Sequence, residues 1–241
     1  TINILTKEFQ KYSILSIVIH CYNEEENLCT YNKELFPHLD DLKVKYEVIL
    51  VNDGSKDNTL KEMQKIKKKR KNIQIVSYQP NGGLGYAIKK GIKSANGDLT
   101  ITLDSDLTFH PNLIPRLLKA YKENKVDFVI GSPNLDKYDE SIPFYRIFLS
   151  KSVNIMYWIL LGKKITAVSP IFRVYNTEKL QKLDLVSNKF EINAEILFKL
   201  LKMKCKVIEV PAKLTIRKFG VSKLNSKKEI IIAGENGSNE T

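Results

Sequence analysis

Short runs of apolar and β-branched residues alternate with longer helical patterns from Ser13 to about Ile130. The runs predict strands at 13–20 (SILSIVIH), 46–53 (YEVILVND), 72–78 (NIQIVSY), 98–106 (DLTITLDSD) and 126–133 (VDFVIGSP). The segments between them predict helices at 24–39, 55–70, 81–96 and about 111–124. This alternation is typical of βαβ units, so the sequence predicts an α/β fold with a mostly parallel central sheet flanked by helices.

The pattern changes after Gly131. An apolar helical stretch at 147–162, a strand at 169–175, a helix at 193–204 and a strand at 206–216 follow. The last residues, AGENGSNET, are polar and glycine-rich, as in disordered segments. We therefore expect an N-terminal extension (1–12), one domain (13–229) with halves at 13–131 and 132–229, and a polar tail (230–241).

Composition adds a preference for anionic partners. The chain has 241 residues, of which 43% are hydrophobic, which suits one large α/β domain with a real core. Its formal net charge is +12, which favours phosphates, nucleic acid or a membrane surface. The lysine-rich run 67–71 ends a predicted helix, where cations suit the helix dipole, and no aromatic residues interleave it. We therefore expect no nucleic-acid partner.

Cysteine usage and hydropathy bear on the compartment. The three cysteines have neither metal-ligand spacing nor the even count of a disulfide framework, which predicts a reducing compartment and no zinc site. Residues 1–13 lack the apolar core of a signal peptide. No segment reaches the roughly 18 to 20 apolar residues that span a bilayer. The nearest, 147–162, is interrupted by Lys151 and Asn154, and a core helix is the expected interpretation.

Polar segments follow four predicted strands, at the edge where open α/β sheets bind ligands. They are HCYNEEEN (20–27), NDGSKDNT (52–59), YQPNGGLG (78–85) and DSDLT (104–108). Each alone also fits a turn or a helix cap. The glycine segment matches neither a P-loop, since it lacks G-K-[ST], nor a dinucleotide fingerprint.

Three carboxylates at this edge suggest nucleotide chemistry. Asp53, at the end of the second strand, could accept hydrogen bonds from a base. Asp104 and Asp106, one residue apart, point to the same side of an extended chain. A hard divalent cation binds through one or two carboxylates plus substrate phosphates, which such a pair can provide. The alternative is a solvated acidic turn.

In their order, these motifs resemble a known family. SIVIHCYNEEENL, VNDGSKDNT, NGGLGYAIKKGI, GDLTITLDSDL and FVIGSP resemble the successive motifs of GT-A glycosyltransferases of family 2. IPFYRIFLSKSVNIMY, SPIFRVY, FEINAEIL and VIEVPAKLTIRKFGVSKLN are similar to its polyprenyl-phosphate branch, typified by dolichol-phosphate mannosyltransferase. The resemblance runs from Ser13 to Glu229 and implies a Rossmann-like GT-A fold. Residues 13–131 then bind the nucleotide sugar and 132–229 the acceptor.

The resemblance also implies roles for individual residues. The donor pocket takes His20 (through its backbone), Tyr22, Glu24, Val51, Ser105 and Asp53, the last reading the nucleobase. Asp104 and Asp106 form a DxD pair that holds Mg²⁺ or Mn²⁺ on the donor diphosphate, and Arg217 and Lys223 close over that diphosphate. Arg146 and Arg173 are candidates for the acceptor phosphate, with a surface ion pair or a packing role as the alternative.

The sequence departs from the family pattern at four positions. His20 stands where family members usually have proline. Pro133 replaces an arginine that often follows Gly-Ser, which removes one expected phosphate contact. Ala167 replaces an acidic residue and Ile171 a glycine, and both changes bear on the identity of the substrate.

The implied reaction is metal-dependent, inverting transfer of mannose or glucose from a nucleoside diphosphate sugar of the GDP-mannose or UDP-glucose type to a polyprenyl or dolichyl phosphate. We expect it at the cytoplasmic face of a membrane, with the protein peripheral or held by an anchor outside this chain.

Three other functions are compatible with parts of the sequence. A transferase that acts on a sugar hydroxyl would need a base, for which Glu191 and Glu195 are the candidates; a helix N-terminal acid and a solvated side chain are their plainer roles. A non-catalytic nucleotide-sugar-binding subunit is the second alternative, although it would not need both aspartates of the DxD pair. A nucleotidyltransferase would need a glycine-rich triphosphate loop, which we do not find.

Overall fold

Seven strands form one sheet in this computed structural model, which describes residues 14–135 and 165–215. The strands are β1 (Leu15–Cys21), β2 (Tyr46–Asp53), β3 (Ile73–Tyr78), β4 (Leu99–Asp104), β5 (Phe128–Ser132), β6 (Arg173–Asn176) and β7 (Val207–Pro211). Their order across the sheet is β3-β2-β1-β4-β6-β5-β7. β6 runs antiparallel to both neighbours and the other pairs are parallel. The predicted α/β fold with a mostly parallel sheet is therefore confirmed.

Helices cover both faces of the sheet. The described helices are α1 (Glu25–Glu34), α2 (Phe36–Asp40), α3 (Thr59–Lys69), α4 (Leu84–Ser94), α5 (Ile114–Glu123), α6 (Thr177–Gln181) and α7 (Ile192–Lys202). α1, α2, α3 and α5 pack on one face, and α4, α6 and α7 on the other. Successive strand residues point to opposite faces, so Ile17 and Ile19 join one core while Val18 joins the other. Burial on both faces explains why these strands read as continuous apolar runs.

One expectation about the elements was wrong in detail. The helix predicted at 24–39 is two helices, because Pro37 lacks an N–H and sits in the first turn of α2, where none is needed. The sequence made no prediction of strand order, and in the sheet β6 lies between β4 and β5. The sequence pattern predicts whether a segment is a strand or a helix, but it does not predict which strands lie next to each other in the sheet.

None of the helices within the described ranges combines the length and the apolar composition that crossing a bilayer requires.

The carboxyl ends of β1, β2 and β4 meet at one edge of the sheet. The register aligns His20 of β1 with Val51 of β2 on one side and with Asp104 of β4 on the other. The chain after β7 returns to this edge, where Thr215 donates from its backbone N–H to the Thr108 carbonyl at 2.9 Å. This edge therefore holds the predicted site.

Candidate active site

The turn after β4 presents Asp104 and Asp106. Both residues keep exposed surface, whereas Ser105 between them is only 8% exposed. The Tyr31 hydroxyl donates to the Ser105 carbonyl at 2.9 Å from beneath. The Thr108 N–H donates to Asp106 Oδ1 at 3.1 Å. The turn is thus held from the core side while its two carboxylates remain accessible.

Negative charge is concentrated at this turn. Burial raises the pKa of the Tyr31 hydroxyl well above its usual range, and the neighbouring charges of Glu24, Asp106 and Asp104 raise it further. Tyr31 therefore stays a neutral donor. Among the described residues, no group of three or more His, Cys, Asp or Glu side chains could hold a metal by itself. Two accessible carboxylates fit a hard divalent cation that takes its other ligands from substrate phosphates and water.

Asp53, at the end of β2, lies only 1% exposed and accepts four hydrogen bonds. Its Oδ1 accepts from the Gly82 N–H at 2.7 Å. Its Oδ2 accepts from the Gly83 N–H (3.1 Å), Asn81 Nδ2 (3.0 Å) and His20 Nε2 (3.1 Å). This carboxylate therefore braces the turn between β3 and α4.

Asp53 remains ionised in this setting. Burial raises the pKa of its carboxyl, but the hydrogen bonds from His20 and the Gly82 N–H outweigh burial and leave the pKa below its usual range. Burial and the charge of Asp53 raise the pKa of the nearby Tyr78 hydroxyl far above its usual range. That hydroxyl is buried, and no atom of the described residues satisfies hydrogen-bond geometry with it. Asp53 and Tyr78 are thus a charged acceptor and a neutral donor at the same edge.

The other residues predicted to line the pocket for the nucleotide sugar have different surroundings. Tyr22 is half-buried in the turn after β1. Glu24, 6% exposed, accepts from Asn27 Nδ2 at 2.6 Å, and its N–H donates to Thr59 Oγ1 at 2.7 Å. Val51 has no exposed surface and lies in the core against α4. Tyr22 lies at the site edge and Glu24 fixes the turn, whereas the Val51 side chain does not reach the surface.

Arg173 is buried instead of facing an acceptor. It has no exposed surface, and its guanidinium donates to the Asn193 carbonyl at 2.8 Å and to the Val168 carbonyl. These contacts tie β6 to α7 and to the preceding loop. Of the two roles expected for Arg173, these contacts favour packing over a contact with the acceptor phosphate. The other predicted cations, Arg146, Arg217 and Lys223, lie outside the described residues.

Glu195, a candidate base for a hydroxyl acceptor, is fully engaged. Its carboxylate accepts from the Val186 N–H (2.9 Å), the Ser187 N–H (2.8 Å) and Lys199 Nζ (2.7 Å). Burial raises the pKa of Glu195, but these bonds outweigh burial and lower the pKa to about 2. Such a carboxylate is a poor proton acceptor. Glu191, the second candidate, is exposed just before α7.

We predict that Glu195→Gln removes an acid-sensitive part of the stability. The pKa of Glu195 is lowered in the folded state, so its contribution is present above the usual glutamate range near pH 4.5 and is lost as the pH falls toward 2. Glu195→Gln should lower the unfolding free energy by about 1–2 kcal/mol at pH 7.

Urea unfolding at several pH values measures this contribution. The difference between wild type and Glu195→Gln should shrink as the pH falls from 4.5 to about 2. Glu191→Gln, an exposed control, should behave as wild type. If the difference in unfolding free energy is the same at pH 7 and at pH 2, the ionised carboxylate of Glu195 does not stabilise the fold in this way.

A carboxylate that sequence reasoning missed is Glu209 in β7. It accepts from the Thr166 N–H (2.8 Å), the Ala167 N–H (2.8 Å) and Thr166 Oγ1 (3.0 Å). Ala167 is the position where the family resemblance calls for an acid, and here an acid from β7 meets its backbone. A lone glutamate within the strand VIEVP was the signal available in the sequence.

The glycine segment at the start of α4 contacts Asn188, in the loop before α7. The Asn188 carbonyl accepts from the Gly85 N–H (2.8 Å) and the Tyr86 N–H (3.2 Å). A Cβ on Gly83, whose φ is +89°, would lie 2.5 Å from that carbonyl. The glycines thus permit a close approach of backbone, and a carbonyl instead of a phosphate occupies this helix N-terminus.

Comparison with known proteins identifies the family. The model of glycosyl transferase family 2 matches residues 16–184. The chain belongs to this family. A relative called dolichol-phosphate mannosyltransferase, from Pyrococcus furiosus, is 34% identical over 218 residues, which are 88% of this chain and 60% of the relative. The undecaprenyl-phosphate 4-deoxy-4-formamido-L-arabinose transferase of Proteus mirabilis is 35% identical over 168 residues, 69% of this chain and 50% of that protein.

This family 2 chain therefore spans less than two thirds of the length of these relatives. Its fold matches a crystal structure of glucosyl-3-phosphoglycerate synthase from Mycobacterium tuberculosis with Mn²⁺, UDP and glucosyl-3-phosphoglycerate. The TM-score is 0.70 at 18% identity, over 94% of this chain and 78% of that one. The same enzyme with Mn²⁺ and UDP-glucose gives a TM-score of 0.69 at 19% identity, over 98% and 82%. These likenesses confirm the GT-A fold.

Proposed function

We propose that this family 2 protein is an inverting glycosyltransferase that moves a hexose, mannose or glucose, from a nucleoside diphosphate sugar to a polyprenyl phosphate. The observation that carries the proposal is the turn of Asp104 and Asp106, accessible at the carboxyl edge beside His20 and Asp53. The names of the two relatives, which specify dolichol and undecaprenyl phosphate, support the acceptor class.

On the donor side, Asp104 and Asp106 would hold Mg²⁺ or Mn²⁺. Such an ion, when bound, neutralises charge on a departing diphosphate. Tyr31 keeps the turn in place through the Ser105 carbonyl. Arg217, which lies outside the described residues, would add a cationic contact to the diphosphate.

On the acceptor side, a phosphate oxygen attacks the anomeric carbon from the face opposite the leaving group. The bond from this oxygen to the anomeric carbon forms as the bond from that carbon to the diphosphate oxygen breaks, and the nucleoside diphosphate leaves with the bonding electrons. The transition state resembles an oxocarbenium ion. A phosphate monoester has a second pKa near ~6 and is ionised at neutral pH, so it needs no general base.

The hydrogen bonds that Glu195 and Glu209 accept support a phosphate acceptor over a hydroxyl acceptor. A hydroxyl must lose its proton to a base in the transition state. Glu195 and Glu209 each accept three hydrogen bonds, which leaves them poorly suited to that role. We therefore propose transfer to a sugar hydroxyl only as the second candidate function.

Membrane contact is part of the proposal, because the acceptor is a lipid. The net charge of +12 favours the anionic cytoplasmic leaflet. We propose that the protein works at that face, bound peripherally or through an anchor outside this chain.

The test is to incubate the protein with GDP-mannose, UDP-glucose and other nucleotide sugars, Mg²⁺ or Mn²⁺, and a short polyprenyl phosphate, and to follow product mass. We expect a glycosylated lipid phosphate and the free nucleoside diphosphate. Polyprenol without phosphate is the matched control and should stay unmodified. Transfer only to sugar hydroxyls would favour the second function, and nucleotide binding without any turnover would favour a non-catalytic subunit.

A further inference from the structure

Exposed apolar side chains gather on α7 and on the loop before it. Among residues 14–135 and 165–215, five large apolar side chains are exposed, and four of them lie between positions 186 and 203. Val186 is 69% exposed, Phe190 43%, Phe198 50% and Met203 46%. Single exposed apolar residues are ordinary on a protein surface, whereas a cluster of them marks a place where another surface binds.

Hydrogen bonds hold the loop against α7 and bring Val186 close to Phe198. The Val186 N–H donates to Glu195 Oε1 at 2.9 Å, and Lys199 Nζ pairs with the same oxygen at 2.7 Å. On the helix, Glu195 lies one turn before Phe198 and Lys199 directly follows it. Phe190 stands at the end of the loop, just before the helix begins. We call Val186, Phe190 and Phe198 together the α7 surface.

The α7 surface adjoins the edge of the sheet that holds the candidate active site. Asn188, between two of its residues, accepts from the Gly85 N–H at 2.8 Å through its backbone carbonyl. Two residues before Gly85, the Gly83 N–H donates to Asp53 Oδ2 at 3.1 Å. A partner bound to the α7 surface therefore lies next to the edge at which donor and acceptor have to meet.

The chain around this surface is basic. Helix α4 and the stretch from α6 to residue 204 together contain nine lysines and four acidic residues. Lys189, next to Phe190, and Lys202, one turn after Phe198, are both exposed. Apolar side chains flanked by lysines suit an anionic bilayer, because the rings enter the headgroup region while the ammonium groups meet lipid phosphates.

A second copy of the chain is a poorer fit for the same surface. In a symmetric dimer the same patch of each copy faces the other, so the lysines of the two copies would come together. Like charges held close to one another repel. An anionic lipid surface instead supplies the opposite charge over the whole contact.

We propose that the α7 surface docks the protein on an anionic bilayer, with Phe190 and Phe198 inserted among the lipid headgroups and Lys189 and Lys202 in contact with lipid phosphates. The partner is the bilayer surface itself, not the lipid phosphate that accepts the sugar. The inference rests on the proposed function, because a lipid acceptor is the reason to place this edge at a membrane. It adds which face of the molecule meets the bilayer.

The test is co-sedimentation of the full chain with vesicles of phosphatidylcholine, alone or with about 30% phosphatidylglycerol. The wild type should bind the mixed vesicles at least about tenfold more tightly than the neutral ones, and salt should weaken that binding. Phe190→Ser/Phe198→Ser should bind about a hundredfold more weakly, at about tenfold for each half-exposed ring. Met203→Ser is the matched control and should bind as wild type, because Met203 is 46% exposed but lies about 140° around the helix axis from Phe198.

A second pair of variants tests the lysines. Lys189→Ala/Lys202→Ala should weaken binding to the mixed vesicles about thirtyfold, at the usual scale for a lysine beside an anionic surface. Lys67→Ala/Lys68→Ala removes the same charge from the end of α3, which leads into the start of β3 at the opposite edge of the sheet. This control should lose less than about threefold. All four lysines are exposed, so thermal unfolding of both variants should match the wild type.

Sugar transfer separates this inference from the proposed function. With a short, soluble polyprenyl phosphate, Phe190→Ser/Phe198→Ser should turn over at the wild-type rate. With a long polyprenyl phosphate embedded in the mixed vesicles, it should be slower than wild type by about the factor lost in binding. Transfer to the soluble acceptor without vesicle binding by the wild type would contradict this inference alone. Vesicle binding without transfer to either acceptor would contradict the proposed function alone.

Two further outcomes would contradict the docking surface. Equal losses of vesicle binding in Phe190→Ser/Phe198→Ser and in Met203→Ser would mean that the position of the rings does not matter. A wild-type dimer that Phe198→Ser converts into a monomer, with vesicle binding retained, would assign the α7 surface to a second copy of the chain. Size-exclusion chromatography with light scattering measures that state.

Discussion

Asp106→Asn is expected to lower metal-dependent turnover roughly a thousandfold while leaving the fold intact. A metal clamp on the departing diphosphate supplies several kcal/mol of transition-state stabilisation, and about 4 kcal/mol corresponds to a factor of a thousand. Asparagine keeps the Oδ1 atom that accepts from the Thr108 N–H, so the turn should survive the change. Single-turnover rates with saturating donor, at several Mn²⁺ concentrations, measure the loss.

Asp41→Asn is the matched control for this substitution. Asp41 has a side chain 81% exposed, and its contact with Lys43 is long, at 3.9 Å. It should turn over at the wild-type rate. Thermal unfolding of Asp106→Asn should stay within about 3 °C of wild type, since no buried group is removed. If Asp106→Asn turns over at the wild-type rate, or if Asp41→Asn loses as much activity, Asp106 does not hold a catalytic metal.

Arg173→Ala is expected to destabilise the protein by about 3 kcal/mol or more. The substitution leaves a cavity where a large side chain has no exposed surface, and it removes the hydrogen bonds that the Arg173 guanidinium donates to the Val168 and Asn193 carbonyls. For a chain of this size, that loss corresponds to a drop in unfolding temperature of roughly 6–12 °C. Differential scanning calorimetry and urea unfolding measure it.

Arg116→Ala tests whether burial is the cause. Arg116 is exposed and also donates to a carbonyl, that of Pro211 at 2.7 Å, so its removal should cost less than about 1 kcal/mol. Arg173→Lys keeps one donor group and should lie between wild type and alanine. If Arg173→Ala unfolds like wild type but has a raised KM for polyprenyl phosphate, Arg173 contacts the acceptor after all.

Sequence reasoning worked best where a local pattern was sufficient. β2 was predicted at its observed bounds, Tyr46–Asp53, because a continuous apolar run ends at a polar turn. The position of Asp104 and Asp106 at a strand end was predicted for the same reason. Helix α6 (Thr177–Gln181) was missed, because five residues carry too little periodicity to distinguish a short helix from a loop.

The site was harder to predict, because a residue type does not state what surrounds it. Asp53 and His20 were assigned to the donor pocket from the family resemblance. Only the structure shows that the Asp53 carboxylate accepts a hydrogen bond from His20 and that the His20 ring keeps exposed surface. Glu195 looked like an available acid, yet backbone groups nine and eight residues earlier in the chain bind it.

By itself the sequence determined the alternation of strands and helices, the mostly parallel sheet and the edge at which the carboxylates gather. These depend on hydrophobic periodicity and on turn residues, which act over a few positions along the chain. Only the tertiary structure decided that β6 separates β4 from β5, that Arg173 is a core residue and that Asp53 is occupied. Those features depend on contacts between residues far apart in sequence, where packing and hydrogen-bond competition settle which groups stay free to meet a substrate.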